Sequence, residues 1–240
     1  MSGMKEQSRP FDAARDLADA PRVGAAQRPR DAATLILTRG GKAPEVLMGR
    51  RAPGHVFMAS KWVFPGGRVE RSDFTAAFAT DVTEAAARRL EAEVPARRAR
   101  ALALAAVRET FEETGLVLGR PAPPAPAAGP WRAFREAGAL PDLAALSYVA
   151  RAITPPGRVR RFDARFFMAD AEALLDVGSP VGSGELDEIA WLPLEQALTL
   201  DLPAITRFVL DEVSARLADP ARPLPFVRMV RGRHVVDRQA

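Results

Sequence analysis

The stretch from Arg108 to Gly115 constrains this chain more than any other. It reads Arg-Glu-Thr-Phe-Glu-Glu-Thr-Gly, and glycine is the residue that most often ends a helix. Residues spaced three or four apart share one side of a helix. The glutamates that this spacing brings together are Glu109, Glu112 and Glu113. The apolar residues on roughly the opposite side are Leu104, Val107 and Phe111. We therefore predict an amphipathic helix whose polar side carries three carboxylates.

Three carboxylates this close repel one another, so the cluster is unfavourable unless a cation lies among them. Carboxylate oxygens are hard ligands that suit Mg²⁺ or Mn²⁺. The sequence therefore predicts a divalent metal site made by these glutamates. A solvated charged helix face is the simpler interpretation of a charge run, but it leaves the paired glycines upstream, Gly66 and Gly67, unexplained.

The helix motif resembles the signature of the Nudix hydrolases, which cleave nucleoside diphosphates linked to another group. That signature is Gly, five residues, Glu, seven residues, then Arg-Glu-apolar-x-Glu-Glu-x-Gly-apolar. Its second half matches from Arg108 to Leu116, with Thr110 at the apolar position. Its first half follows Phe-Pro-Gly-Gly at 64–67, and Asp73 stands where the Glu is expected. Between Asp73 and Arg108 lie 34 residues instead of seven, so the motif carries an insertion.

The resemblance implies a role for each residue of the motif. Glu112 and Glu113 would bind Mg²⁺ or Mn²⁺, while Glu109 would bind the metal or orient the attacking water. A backbone carbonyl of Gly67, or of the neighbouring glycine, would complete the coordination. Arg108 would hold a glutamate in place through charge-assisted hydrogen bonds. The metal would neutralise the charge of the diphosphate and orient the reacting groups.

Three further residues are candidates for binding the substrate. Arg161 and Arg165 belong to an arginine-rich segment at 158–165 and could clamp phosphates, although arginines on a strand edge face solvent just as often. Glu188 is a candidate because some Nudix enzymes use an acidic residue from a later loop. The acidic residues of that loop are Glu185, Asp187 and Glu188, and their simpler interpretation is an exposed turn.

The interrupted motif and the segment 161–167 resemble the Nudix subgroup that contains the peroxisomal coenzyme A diphosphatase. This implies hydrolysis of coenzyme A or acyl-coenzyme A to a phosphopantetheine and an adenosine bisphosphate. A diphosphatase for ADP-ribose or NADH remains open, because the coenzyme A signature of other Nudix enzymes is not evident in 50–61. A module that senses a nucleotide without cleaving it also remains open. Isomerisation of a prenyl diphosphate is disfavoured, since it requires a catalytic cysteine and the chain has none.

Composition narrows the other function classes. No apolar run is long enough to span a membrane, so no membrane partner is expected. No basic stripe interleaved with aromatic residues is present, so no nucleic-acid partner is expected. The absence of cysteine fits a cytoplasmic protein, which is the expected location. The expected partner is a small molecule linked through a nucleoside diphosphate, and a homodimer remains open. His55 and His234 lack partners at catalytic or metal-binding spacing.

The segment boundaries predict an α/β protein. Residues 1–30 are predicted to be a mobile N-terminal tail, and 31–240 to form a Nudix hydrolase domain. Within that domain we predict a helical insertion at about 74–100 and a Pro/Ala linker at 119–130.

Strands are expected at 33–38 and 45–50. Phe74 and Phe78 have approximately helical spacing, so the first inserted helix is expected to include them, with Ser72 as its N-cap. A second helix is expected from Pro95 to Gly115. The predicted strands and helices indicate a mixed sheet between helices. The resemblance implies a Nudix-type α/β/α sandwich with an inserted helical hairpin.

Overall fold

A mixed β-sheet organises the molecule. The computed structural model describes residues 11, 27–52, 54, 59–158, 160–175, 179–182 and 184–239. The strands are β1 (Arg30–Arg39), β2 (Glu45–Arg51), β3 (Trp62–Val63), β4 (Gly66–Arg68), β5 (Gly119–Pro121), β6 (Ala139–Pro141), β7 (Ser147–Ile153), β8 (Phe162–Asp170), β9 (Leu186–Pro193), β10 (Leu224–Val230) and β11 (Arg233–Gln239). Among these described residues, nine strands form one sheet in the order β11-β10-β7-β8-β1-β2-β3, with β4 also paired to β1 and β9 to β2.

Helices cover both faces of this sheet. They are α1 (Glu84–Glu91), α2 (Ala96–Thr114), α3 (Trp131–Glu136), α4 (Leu194–Ala197) and α5 (Ala204–Ala218). The first core cluster joins the sheet to α1, α2 and α3, and the second joins it to α4 and α5. The predicted α/β class, with a mixed sheet between helices, is therefore confirmed.

Strand β1 shows why the sheet lies in the middle. Leu35 and Leu37 belong to the core cluster on one face, while Ile36 between them belongs to the cluster on the other. Successive side chains of a strand point to opposite faces, so an apolar run is buried on both. The strand pairs in parallel with β8 and antiparallel with β2 and β4, which makes it the centre of the sheet.

The insertion forms the predicted helical hairpin, but its first helix begins later than expected. Ser72 lies in a short 3-10 helix, Arg71–Phe74, and does not cap an α-helix. The N-cap of α1 is Thr83, whose hydroxyl accepts a hydrogen bond from the Ala86 N–H at 3.3 Å. The helical spacing of Phe74 and Phe78 misled the sequence interpretation. Their rings instead lie beneath the guanidinium groups of two arginines of α2, Arg97 and Arg100.

Two strand pairs were missed by the sequence analysis. The predicted Pro/Ala linker begins with β5, which pairs antiparallel with β6, so only 122–130 lack regular structure. At the C-terminus, β10 and β11 form a hairpin around a turn at Arg231 and Gly232, which have φ values of 48° and 78°. Two successive positive φ values are typical of the tight turns that join paired strands.

Most of the predicted mobile tail, 1–30, lies outside the described residues, as does His55. Phe11 is described, and its ring contacts Phe208 of α5 at a centroid distance of 5.7 Å and His234 of β11 at 4.9 Å. Strand β1 begins at Arg30. In the described part of the chain, no helix combines the length and apolar character needed to cross a membrane.

Candidate active site

Helix α2 carries the predicted glutamates. It begins after Pro95 and ends at Gly115, which has φ 72° and donates its N–H to the Phe111 carbonyl at 2.8 Å. Leu104 and Val107 are fully buried against the sheet, as the amphipathic pattern predicts. Thr110 is also buried at the position where the Nudix signature has an apolar residue. Its hydroxyl donates to the Ala106 carbonyl at 2.8 Å, which satisfies the polar group inside the core.

Arg108 is the buried centre of the cluster. Its Nε and Nη2 donate to the two oxygens of Asp73 at 2.9 and 3.1 Å. Its Nη1 donates to Glu109 at 2.9 Å and to Glu112 at 2.7 Å. Nη2 also reaches the backbone carbonyl of Arg68 at 2.8 Å. One guanidinium therefore orients two of the predicted catalytic glutamates and fastens the start of the insertion to its end.

Asp73 stands at the first-half Glu position of the motif and is completely buried. Besides Arg108, its carboxylate accepts hydrogen bonds from the Glu70 N–H at 2.8 Å and from the Trp131 indole N–H at 3.1 Å. All of these donors are groups of the protein, so the role of Asp73 is to hold the Arg108 guanidinium in place. Trp131 was missed by the sequence analysis, because only the fold brings α3 to the motif.

The paired glycines let the backbone approach the glutamates. The Gly66 N–H donates to a Glu113 carboxylate oxygen at 3.0 Å. A Cβ at Gly67 would overlap the Glu109 carboxylate, and a Cβ at Gly66 would overlap the Ala33 carbonyl of β1. At Gly66 the obstacle is backbone, so only glycine fits there, whereas a side chain at Gly67 would displace the Glu109 carboxylate. The structure places both glycines beside the glutamates of α2.

The glutamates lie in a poorly solvated and negatively charged environment. Burial is the main reason that the pKa of Glu109 rises to about 7, against the lowering effect of Arg108. Burial likewise raises the pKa of Glu113 to about 8, although the Gly66 N–H favours its charged form. The pKa of Glu112 is raised in the same direction, again chiefly by burial. Burial and the neighbouring carboxylates therefore outweigh the nearby arginines and disfavour the charged forms of all three glutamates.

The donor set fits a hard divalent cation. It offers three glutamate side chains at the junction of α2 and β4, with Arg108 as the cation in contact with two of them. Such a cation would compensate the charges that burial destabilises. Among the residues that the structure describes, no three acidic or histidine side chains are already closed around one point. Glu109 and Glu112 are instead turned toward Arg108.

Two residues at the edge of the cluster act on Glu113 through charge. Arg51, at the end of β2, lowers the pKa of Glu113, and Glu185, in the loop before β9, raises it. The Glu185 carbonyl accepts a hydrogen bond from the Ala52 N–H at 3.3 Å, which fixes this loop beside β2. Arg51 was missed by the sequence analysis. The sequence of β2 gives no sign that its last residue acts on a glutamate of α2.

The residues predicted to bind substrate lie in other contacts. Glu188 is exposed on β9 and forms an ion pair with Arg50 at 3.2 Å. Arg161 donates to the carbonyls of Thr154 at 3.0 Å and Gln27 at 2.6 Å. Arg165 is wholly buried, and the structure does not bring it to the glutamates of α2. Its partners are the carboxylates of Glu93, Asp163 and Asp31.

A solved structure resembles this fold. The chain is similar to a crystal structure of a Nudix hydrolase from Alicyclobacillus acidocaldarius, with 30% identity and a TM-score of 0.62. The match covers 81% of this chain and 97% of that one. The chain belongs to the Nudix hydrolases. The prediction of a Nudix enzyme is confirmed, and α2 with β4 is its Nudix motif.

A second similarity concerns a curated protein. The chain is 29% identical, over 234 residues, to the acyl-coenzyme A diphosphatase NUDT19 of Gallus gallus. The match covers 67% of this Nudix chain but only 59% of the length of that protein. The Nudix domain of Shewanella oneidensis NrtR, solved with ADP ribose, gives 13% identity and a TM-score of 0.47, covering 86% of this chain and 99% of that one. No family model matches the chain.

Proposed function

We propose that this Nudix enzyme hydrolyses the diphosphate linkage of a nucleoside diphosphate derivative, with coenzyme A or acyl-coenzyme A as the first substrate to test. The observation that supports hydrolysis is the convergence of Glu109, Glu112 and Glu113 around Arg108 and the glycines of β4. The similarity to the acyl-coenzyme A diphosphatase of Gallus gallus supports the substrate.

Glu109, Glu112, Glu113 and the carbonyl of Gly67 would hold Mg²⁺ or Mn²⁺. When bound, that cation would neutralise the diphosphate and make a water a better nucleophile. The protein's own residues prepare this site. Arg108 keeps two of the carboxylates on one side of α2, and the Gly66 N–H holds Glu113. A carboxylate of the cluster would accept the proton of the attacking water.

In this mechanism Arg108 is a positioning residue, because its bonds are made to Asp73, Glu109 and Glu112. Glu185 lies within electrostatic range of Glu113 and would add negative charge to the site. Arg161, Arg165 and Glu188 remain predictions for substrate binding. Of the two arginines, Arg161 is the better candidate, since the guanidinium of Arg165 is enclosed by acidic partners.

The test is product analysis by chromatography after incubation with Mg²⁺ or Mn²⁺. The panel contains coenzyme A, acetyl-coenzyme A, ADP-ribose, NADH and a diadenosine polyphosphate. We expect coenzyme A to give a phosphopantetheine and an adenosine bisphosphate. Glu113→Gln should lower kcat by about a thousandfold, because it removes a charge that acts on the transition state.

The matched control is Glu195→Gln, which changes an exposed glutamate of α4 and should leave kcat unchanged. Cleavage of ADP-ribose or NADH in place of coenzyme A would reassign the substrate within the same mechanism. Binding of an intact nucleotide with metal present, and no product after long incubation, would support a sensing module instead. Equal rates for Glu113→Gln and the wild type would refute the assigned role of the cluster.

A further inference from the structure

An uncharged groove lies at the C-terminal end of α2, immediately after the catalytic glutamates. Its volume is about 330 Å³, and none of the described side chains that line it is charged. Its apolar members are Leu116 and Val117 after α2, Ala137 after α3, and Leu175 and Val181 from the segment between β8 and β9. The groove therefore suits an apolar group better than a phosphate.

Two apolar side chains of this groove are exposed to solvent. Val181 is 73% exposed and Leu175 is 39% exposed. In the described part of the chain only two other large apolar side chains are exposed, Leu217 of α5 and Val230 of β10. Single exposed apolar residues are common on protein surfaces, but two of them beside one uncharged groove indicate a binding surface.

Backbone hydrogen bonds hold the walls of the groove in place. The Leu175 N–H donates to the Val117 carbonyl at 2.9 Å, and the Val181 N–H donates to the Thr114 carbonyl at 2.9 Å. The Thr114 hydroxyl donates to the Thr110 carbonyl at 2.6 Å. These polar groups are satisfied within the protein. The groove therefore offers a ligand chiefly its apolar side chains.

The groove adjoins the catalytic cluster along two paths of the chain. Thr114 lines the groove and directly follows Glu113, and consecutive Cα atoms lie about 3.8 Å apart. Val181 precedes Glu185 by four residues, and the Glu185 carbonyl is bound to the Ala52 N–H just after β2. Four residues span at most about 14 Å. A ligand whose diphosphate lies at the glutamates can therefore place a neighbouring apolar part in the groove.

The proposed substrate class contains such an apolar part. In an acyl-coenzyme A, the pantetheine arm joins the diphosphate to the acyl thioester, and its many single bonds let it bend toward the end of α2. The volume of about 330 Å³ lies at the lower end of the range for small-molecule pockets. No described aromatic side chain lines the groove, although aromatic rings are the usual stacking partners of a purine base. The lining therefore favours the acyl group over the adenine.

We propose that the groove at the end of α2 binds the acyl group of an acyl-coenzyme A, so that the enzyme prefers acylated to free coenzyme A. Leu175 and Val181 pack against the acyl chain, which removes their exposed apolar surface and that of the chain from water. This inference rests on the proposed function, because it places the diphosphate of the substrate at the glutamates.

Binding to the full-length, metal-free protein tests the proposal. Isothermal titration calorimetry compares coenzyme A with octanoyl-coenzyme A. The wild type should bind the octanoyl form about tenfold more tightly, which corresponds to the burial of about two methylene groups. Val181→Asp should lower this ratio to about one, because a carboxylate beside the acyl chain would lose water. Comparing two ligands in one variant cancels any repulsion between the new carboxylate and the phosphates.

Matched controls introduce the same change at exposed apolar residues on other elements. Leu175→Asp should act as Val181→Asp does, whereas Leu217→Asp and Val230→Asp should keep the tenfold ratio. All four side chains are exposed, so the variants should fold. A ratio of one in the wild type, or equal ratios for Val181→Asp and Val230→Asp, would overturn the proposal. A dimer that Val181→Asp dissociates, with a ratio of one in the wild type, would assign the groove to a second copy of the chain.

A kinetic arm with Mg²⁺ separates this proposal from the proposed hydrolysis. If both are correct, kcat/KM rises from acetyl-coenzyme A to octanoyl-coenzyme A in the wild type but not in Val181→Asp. If neither compound is cleaved and the binding ratio is tenfold, the groove binds the acyl group and the proposed hydrolysis is wrong. If coenzyme A or ADP-ribose is cleaved and the binding ratio is one, the hydrolysis is correct and the proposal for the groove is wrong.

Discussion

Two buried charge networks lie along the insertion and α2, and they differ in balance. Around Arg108, one guanidinium contacts the carboxylates of Asp73, Glu109 and Glu112. Around Glu93, the charges match. The acidic members are Glu93, Asp163 and Asp31, and the basic members are Arg165, Arg151 and Arg98. The first network has an excess of negative charge, whereas the second has none.

The difference separates two uses of a buried charge. A balanced network satisfies its members within the protein, so it can hold the α1–α2 hairpin to β7 and β8 without a ligand. An unbalanced network carries a net charge that its own members do not compensate. Burial alone does not distinguish them, because Arg108 and Arg165 are both inaccessible to solvent. The sign of the imbalance then indicates the ligand, a cation at the Nudix motif.

The largest expected effect on stability lies in the balanced network. Glu93→Gln should lower the free energy of unfolding by about 3 kcal/mol, because it leaves the buried guanidinium of Arg165 with less compensation. It also weakens the acceptor of the Tyr148 hydroxyl. Urea unfolding of the metal-free protein measures the change. The catalytic rate at a temperature where the variant is folded should stay within about twofold of the wild type.

Glu91→Gln is the matched control, since this neighbouring glutamate is exposed at the end of α1. It should change the unfolding free energy by less than about 0.5 kcal/mol. If Glu93→Gln were as mild as this control, the balanced network would not anchor the hairpin. A large loss of kcat in the folded variant would instead show that the network around Glu93 also contributes to catalysis.

Metal binding should stabilise the network around Arg108. Saturating Mg²⁺, at about a hundred times its Kd, should stabilise the wild type by about 2.7 kcal/mol, and chelation should reverse the effect. Glu112→Gln should lose more than half of this stabilisation. Without metal its unfolding free energy should equal or exceed that of the wild type, because it removes one of several like charges. Thermal unfolding with and without Mg²⁺ measures both quantities.

Two outcomes would contradict the distinction between the two networks. If Glu112→Gln destabilised the metal-free protein as strongly as Glu93→Gln, its bond to Arg108 would be mainly structural. If Mg²⁺ stabilised the variant and the wild type equally, the metal would bind elsewhere. Glu195→Gln on the surface of α4 is again the control for a nonspecific effect of charge.

The sequence was sufficient where local spacing determines the outcome. The three-and-four spacing of the glutamates and the stop at Gly115 predicted α2 with nearly the observed ends. The apolar runs predicted β1 and β2, because a strand in a central sheet is buried on both faces. Spacing also led to a wrong prediction. Phe74 and Phe78 have helical spacing, but they precede α1 and their rings lie under arginines of α2.

The sequence was insufficient where distant segments meet. Arg51 and Glu185 are 134 positions apart, yet both change the pKa of Glu113, and no local pattern contains that information. Arg165 illustrates the reverse case. Its arginine-rich segment suggested phosphate binding, but the register of β8 places the side chain in the interior among acids. The C-terminal hairpin was missed for a different reason, because neither 224–230 nor 233–239 alternates strictly between apolar and polar residues.

The smallest expected effect concerns Trp131, which ties α3 to the unbalanced network. Its indole N–H donates to Asp73 at 3.1 Å, and its ring lies edge-on to Phe134 at 5.4 Å. Trp131→Phe removes the donor and keeps an aromatic ring, so it should cost about 1 kcal/mol of stability beyond the loss of ring area. The half-buried Trp191, changed to Phe, gives a reference for that area.

Arg108 still holds both oxygens of Asp73 in the Trp131→Phe variant, so kcat should stay within about threefold. A greater loss of kcat would show that Arg108 needs Trp131 to orient the glutamates, and that the support of the site extends to α3.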